Sequence, residues 1–237
     1  MSVLVVGCGR SGSNMVLEIL RGSPTLKATS IIEDKTIFKN PHLIKDNYLS
    51  KCDTWYIPTL DHINKLMNLN PNLYIAFSLR HPKDMVLSKI KRGQPGEDGN
   101  SGIAEDATTE GCIKDINHMF NCYLHLKKYY EKRIFLIKME EIIENIELTC
   151  NKLCKGLKIE YNENMLNFTS RMRNLHKKNR YKKLDKEQIN LWKRKNEIYG
   201  GFFKDNKKYN IEEIFNKIDN IIKYFNYEEI NNSTSRF

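Results

Sequence analysis

The residues of this chain best placed to do chemistry are Gly7-Cys8-Gly9-Arg10-Ser11-Gly12-Ser13-Asn14, a glycine-rich turn that follows the apolar run Val3-Leu4-Val5-Val6. Branched aliphatics suit a buried parallel strand, and Met15-Val16-Leu17-Glu18-Ile19-Leu20 behind the turn reads as a helix. The first turn of such a helix aims unpaired N–H groups and a positive dipole end at the loop. Strand, turn and helix together cradle an anion, so a phosphorylated ligand is expected. Three phosphate patterns compete. Gly7-x-Gly9-x-x-Gly12 satisfies the dinucleotide fingerprint, and Glu33-Asp34 follows about twenty residues on, where that motif places a ribose-binding carboxylate. The nucleotide-triphosphatase loop needs Gly-x4-Gly-Lys-Ser/Thr, but Ser13-Asn14 bring no lysine. The third pattern is a basic residue before Ser-Gly-Ser, here Arg10-Ser11-Gly12-Ser13, which adds a guanidinium to the amide nest. A bare turn between a core strand and its helix is the alternative to all three.

A second constellation is Arg80-His81-Pro82-Lys83-Asp84-Met85-Val86-Leu87-Ser88. It begins where the strand-like run Leu73-Tyr74-Ile75-Ala76-Phe77-Ser78-Leu79 ends, and Pro82 suits the first turn of a helix over Lys83 to Ile90. Open parallel sheets bind ligands beyond the carboxyl ends of their strands, so Arg80 belongs on the same rim as the glycine loop. Ser88 lies about two helical turns further on, on the face of the residues near Arg80. An arginine fork plus a hydroxyl can hold a second phosphate. Taken alone, a plain Arg-Pro helix start with Arg80 paired to a carboxylate accounts for these residues equally well.

The elements that must position these groups alternate. Further strands are expected at Lys27 to Ile32, ending at Glu33-Asp34, at Cys52 to Ile57, led by Lys51, and at Ile134 to Ile137. Helices are expected over His62 to Leu69, Ile113 to Lys132 and Glu140 to Cys154, with a Gly- and Pro-rich loop over Arg92 to Asp106. Alternation of this kind implies an α/β fold of three layers: a central parallel sheet with helices on both faces. The last third changes character. A basic loop over 170–186 gives way to C-terminal helices over 187–230, read from helical patterns that run from Leu184 to Tyr199 and from Ile211 to Phe225, all within one domain spanning 1–237.

Composition sets outer bounds. Hydrophobic residues make up 40% and charged residues 29%, values of a globular chain. No apolar run approaches the roughly 20 residues of a membrane span. The first strand starts so early that no secretory signal fits before it, and a cytoplasmic protein is expected. The six cysteines have no paired Cys-x-x-Cys spacing and no histidine rhythm beside them, so buried free thiols are expected and no metal. The net charge of +10 implies polyanionic partners, a charged nucleotide or acidic glycan as readily as nucleic acid. Aromatics such as Phe168 and Tyr181 are too sparse for a nucleic-acid stacking platform, which makes that partner the less favoured one.

With both phosphate constellations in register, the sequence resembles the sulfotransferases that use 3′-phosphoadenosine 5′-phosphosulfate (PAPS) and release its 3′,5′-bisphosphate (PAP). The resemblance covers most of residues 3–160. Arg10-Ser11-Gly12-Ser13 matches the family's basic Ser-Gly-Thr/Ser loop, and Arg80, Pro82, Asp84 and Ser88 match its Arg-x-Pro-x-Asp helix start with a serine eight residues on. Ile134 to Ile142 and Lys155-Gly156-Leu157 resemble a looser third feature, with Met139 where the family has tyrosine. Asn14 also departs from the pattern, as does the C-terminal loop, which lacks the Arg-Lys-Gly signature of the cytosolic members. The resemblance implies a P-loop-like sulfotransferase fold and transfer of a sulfuryl group from PAPS to a hydroxyl of a carbohydrate or small molecule. It further implies that Gly9, Arg10, Ser11, Gly12, Ser13 and Asn14 hold the 5′-phosphosulfate and that Arg80 and Ser88 hold the 3′-phosphate. Arg180, Tyr181 and Lys182 of the basic stretch would cover the nucleotide. Glu33, or its neighbour Asp34, takes the place of the general base in carbohydrate-directed members, and Lys51 resembles their lysine before the third strand. A nicotinamide-dependent oxidoreductase and a non-catalytic nucleic-acid-binding domain are the alternatives. The first leaves Arg80 to Ser88 unexplained, and the second leaves both phosphate motifs idle.

Overall fold

The computed structural model describes residues 1–29, 33–92, 108–175 and 211–227. Five strands form one wholly parallel sheet: β1 (Ser2–Gly7), β2 (Lys27–Ala28), β3 (Tyr48–Asp53), β4 (Leu73–Leu79) and β5 (Ile134–Lys138), in the order β2-β3-β1-β4-β5. The order separates two of the expectations. A dinucleotide fold runs 3-2-1-4-5-6 and puts its second strand beside the first. Here β3 takes that place, so the glycine loop is not part of such a fold.

Alternation along β1 explains the layers. Leu4 and Val6 face one side, with Ile75, Phe77 and Leu79, against α3 (Leu60–Leu69), α5 (Thr109–Tyr130), α9 (Ile211–Lys217) and α10 (Asp219–Tyr224). Val3 and Val5 face the other, with Ala76, against α1 (Ser13–Leu20), α6 (Met139–Glu144), α7 (Ile146–Leu157) and α8 (Phe168–Leu175). A sheet buried on both faces needs apolar residues at successive positions, which is what Val3 to Val6 supply. The remaining α-helices among the described residues are α2 (Thr36–Lys39) and α4 (Pro82–Arg92). Among the described residues, no helix is long and apolar enough to cross a membrane.

Several boundaries differ from the sequence expectation, and residues 170–175 of the basic loop expected over 170–186 are helical, within α8. The third strand is Tyr48–Asp53, not Cys52 to Ile57, and Thr54–Tyr56 form a 3-10 turn that leaves Trp55 exposed. Strand-forming Trp55 and Tyr56 misled the pattern, because it is Leu49 and Cys52 that reach the core. The helix expected over Glu140 to Cys154 breaks at Asn145, whose side chain accepts a hydrogen bond from Leu148 N at 3.0 Å and caps α7. The second strand is regular only over Lys27–Ala28, and its continuation at Ile31 and Ile32 lies outside the described residues, as do the loop over 93–107 and the helix expected at Leu184 to Tyr199.

Candidate active site

The loop after β1 is shaped by two left-handed residues. Arg10 has φ 74° and Gly12 has φ 93°, ψ 10°. For glycine this costs nothing, but an arginine held there is strained by roughly 1–3 kcal/mol, of the kind that collects at ligand sites. Gly12 caps α1, its carbonyl accepting from Met15 N at 2.8 Å and Val16 N at 3.1 Å. Ser78 at the end of β4 anchors the turn, its Oγ donating to Ser11 O at 3.0 Å. Gly7 has no room for a side chain, since a Cβ would press on Ser11 Oγ and lie 2.8 Å from Ser78 O. Ser11 is fully buried, and its hydroxyl makes no hydrogen bond. Ser13 and Asn14 open α1, and Gly9 is partly exposed.

Two structural links tie this loop to the second constellation. Ser78 and Arg80 share the carboxyl end of β4, which pairs directly with β1. Arg10 Nε donates to Ser88 Oγ at 2.9 Å, across to the second turn of α4. Arg80 is buried and its guanidinium donates to Asp84 Oδ2 at 2.9 Å, one turn along the helix. His81 N donates to Glu140 Oε1 at 2.8 Å, and Tyr227 OH donates to Glu140 Oε2 at 3.0 Å, so the C-terminal end of the described chain closes over the start of α4. The His81 ring lies 4.8 Å from that of Tyr227, and burial lowers its pKa to about 4, which keeps it neutral.

On the other side of the loop stands a charged cluster. Lys51 is only 2% exposed, and its Nζ pairs with Glu33 and, at 3.1 Å, with Asp53 Oδ1. Glu33 Oε2 also accepts from Asp53 N at 2.9 Å, and Ser13 Oγ donates to Asp53 Oδ1 at 3.4 Å. Burial raises the Glu33 pKa, neighbouring Asp53 raises it further, and Lys51 opposes both. Burial pushes the Lys51 ammonium down, yet Asp53 and Glu33 more than reverse this and its pKa stands above the ordinary value.

The structure therefore brings Glu33 and Lys51 together beside the loop, and Arg10 to Ser88. It places Asp34 apart from them: Asp34 is buried, accepts from Tyr48 OH and from Thr36 N at 3.2 Å, and holds the start of α2. Arg180, Tyr181 and Lys182 lie outside the described residues. Asp53 escaped the sequence reading, although Lys51 and Asp53 at i and i+2 near a strand end share one face and could have marked it. Among the described residues, no group of three or more His, Cys, Asp or Glu side chains could hold a metal ion.

No family profile matches the chain, and no curated protein does. Solved structures do. The crystal structure of sulfotransferase STF9 from Mycobacterium avium is 8% identical with a TM-score of 0.56, over 94% of this chain and 76% of that one. Mouse sulfotransferase SULT7A1, crystallised with PAP, is 18% identical with a TM-score of 0.51, over 73% of this chain and 65% of that one. Sulfotransferase STF1 from Mycobacterium tuberculosis H37Rv is 9% identical with a TM-score of 0.50, over 70% of each chain. The chain has the sulfotransferase fold, with its parallel sheet and flanking helices. It spans less than two thirds of the mouse protein's length.

Proposed function

We propose that this chain is a sulfotransferase that takes PAPS as donor and sulfates a hydroxyl of a carbohydrate or small molecule. The observation that carries the reading is the joining of two anion cradles on one rim, the loop over Gly9–Asn14 and the Arg80–Ser88 segment, linked by the 2.9 Å contact of Arg10 with Ser88. The donor set fits such a nucleotide. The buried, unpartnered Ser11 hydroxyl and the turned backbone at Arg10 and Gly12 suit a phosphate, and Arg80 with Ser88 suits a second one. The PAP in the mouse neighbour supports the same donor.

PAPS, when bound, supplies an activated sulfuryl group, whose S–O bond to the 5′-phosphate breaks as a bond to the acceptor oxygen forms, leaving PAP. The protein's part is positioning and charge. Loop amides, Arg10 and the hydroxyls of Ser11 and Ser13 neutralise charge at the 5′ end. Arg80 and Ser88 select the 3′-phosphate. Glu33 takes the acceptor proton, because its carboxyl is raised toward working pH while Asp34 is committed to Tyr48 and Thr36. Lys51 holds Glu33 in place and balances its charge.

The test is calorimetric titration with PAP and with adenosine 5′-monophosphate, ATP and NADH as comparisons, on the wild type and Arg80→Ala. A charge-assisted bond to phosphate contributes about 1.5–3 kcal/mol, so the variant should bind PAP roughly 10–150-fold more weakly and the monophosphate unchanged. Equal weakening of both, or a wild type that answers NADH and ignores PAP, refutes the reading.

A further inference from the structure

The loop carries Ser13 where the nucleotide-triphosphatase loop places its phosphate-binding lysine. An ammonium reaches the loop from another element instead. Lys89 follows Ser88 on α4, is 3% exposed, and pairs through Nζ with the equally buried carboxylate of Asp115 on α5. Cys8 Sγ donates to the same oxygen, Asp115 Oδ2, at 3.1 Å, so one carboxylate fixes both the lysine and the second residue of the loop. A Cβ on Gly9 would lie 3.3 Å from Lys89 Nζ and 3.8 Å from Asp53 Oδ2. The ammonium thus stands over the α-carbon of Gly9, on the side that faces Asp53. Asp53 is in turn tied to Lys51 at 3.1 Å and to Ser13 at 3.4 Å. The third loop residue is flanked by Lys89 and by the cluster that holds Glu33.

Stability gives little reason for such a pair. Lysine is almost never fully buried, and a buried ion pair is often matched or exceeded by apolar residues of the same volume. An ammonium fixed beforehand beside an anion site is, by contrast, an effective device for stabilising charge, since it needs no reorganisation when charge moves.

We propose that Lys89 is a further catalytic residue: its ammonium, held by Asp115, binds the outer oxygens of the donor's sulfuryl group, the part of PAPS that PAP lacks. Asp115 and Cys8 are positioning residues, acting through Lys89 and the loop. The inference rests on the sulfotransferase reading above. It explains the absence of a side chain at Gly9, because a methyl there would intrude between the ammonium and the cluster.

The experiment is a calorimetric comparison of PAPS and PAP on the wild type, Lys89→Gln, Lys89→Arg and the double variant K89M/D115N, which removes both charges together so that neither is left buried alone. Thermal melting of each variant reports folding. In Lys89→Gln and the double variant, PAPS affinity should fall roughly tenfold or more while PAP affinity stays within about threefold, and Lys89→Arg should restore much of the loss. Unchanged PAPS affinity overturns the inference. So does parallel weakening of PAPS and PAP, the mark of a merely structural pair. A wild type that binds neither overturns the sulfotransferase reading and this inference with it, whereas PAP binding with an unaltered PAPS preference in the variants overturns the inference alone.

Discussion

Replacing Gly7 by alanine adds one methyl group at the point where β1 hands the chain to the loop. That methyl would press on Ser11 Oγ and lie 2.8 Å from Ser78 O and 3.2 Å from Ser78 Cβ. The Ser11 hydroxyl has no bond to lose and can turn. The Ser78 carbonyl cannot, because Gly7 and Ser78 are register partners in the β1–β4 pair, at the centre of the sheet. The strain must pass into the loop, since the strands are held by their neighbours. Overpacking of this kind costs about 1–3 kcal/mol, and each kcal/mol lowers the melting point by about 2–4 °C in a domain of this size, giving a fall of roughly 2–12 °C. Differential scanning calorimetry reads the shift, and titration with PAP on the same samples should show weaker binding, because Ser11 and the amides after it are displaced. Gly9→Ala is the comparison, for its methyl meets no backbone atom, only Lys89 Nζ at 3.3 Å and Asp53 Oδ2 at 3.8 Å, and it should lower the melting point less than Gly7→Ala. A Gly7→Ala protein that melts like the wild type and binds PAP equally well would refute this account of the loop.

Further outcomes follow from two partly buried carboxylates, Glu33 and Glu140. Because burial and Asp53 hold Glu33 above its ordinary 4.5, and a base must be unprotonated to act, kcat/KM should rise with pH through that elevated value and be lost below it. Glu33→Gln should abolish this acid limb and lower kcat by about 10²–10⁴-fold with PAPS and an accepted hydroxyl compound, and an unchanged pH profile in the variant would exclude Glu33 as the base. Tyr227→Phe removes the 3.0 Å bond from a fully buried tyrosine to the partly buried Glu140 and should cost about 1.5–3 kcal/mol in urea unfolding, with an unshifted midpoint counting against closure over α4.

The sequence made the rim legible where chemistry and local pattern coincide. Gly7, Gly12 and the apolar run before them announce a strand and a turn together, and Arg80-His81-Pro82 marks a strand end by the proline that must open the next helix. It was less legible wherever long-range pairing overrides local preference. Lys51 reads as the residue leading into a strand over Cys52 to Ile57, yet it lies inside β3, 2% exposed, because Glu33 from the preceding loop and Asp53 two residues along balance its charge. The third strand differs because Trp55 and Tyr56 favour strands locally, whereas Leu49 and Cys52 are the residues that reach the core. That Tyr48 reaches Asp34 is a contact between strand and loop that no spacing encodes. Lys89 and Asp115 lie 26 residues apart, on helices whose periodicity reveals apolar faces but gives no sign that one ammonium leans on the loop.

All six cysteines of this chain are free and buried, and their distribution divides the molecule in a useful way. Cys112 and Cys122 lie on α5, Cys150 and Cys154 on α7, and Cys8 and Cys52 at the carboxyl ends of β1 and β3. Burial raises the pKa of Cys122 to about 12 and that of Cys154 to about 11, so neither is a thiolate in the folded state. An alkylating reagent can reach these sulfurs only when the surrounding structure opens. The protein thus carries a set of internal clocks: the order in which its thiols become labelled reports which layer breathes first, and a nucleotide that seals the loop should slow Cys8 before any other.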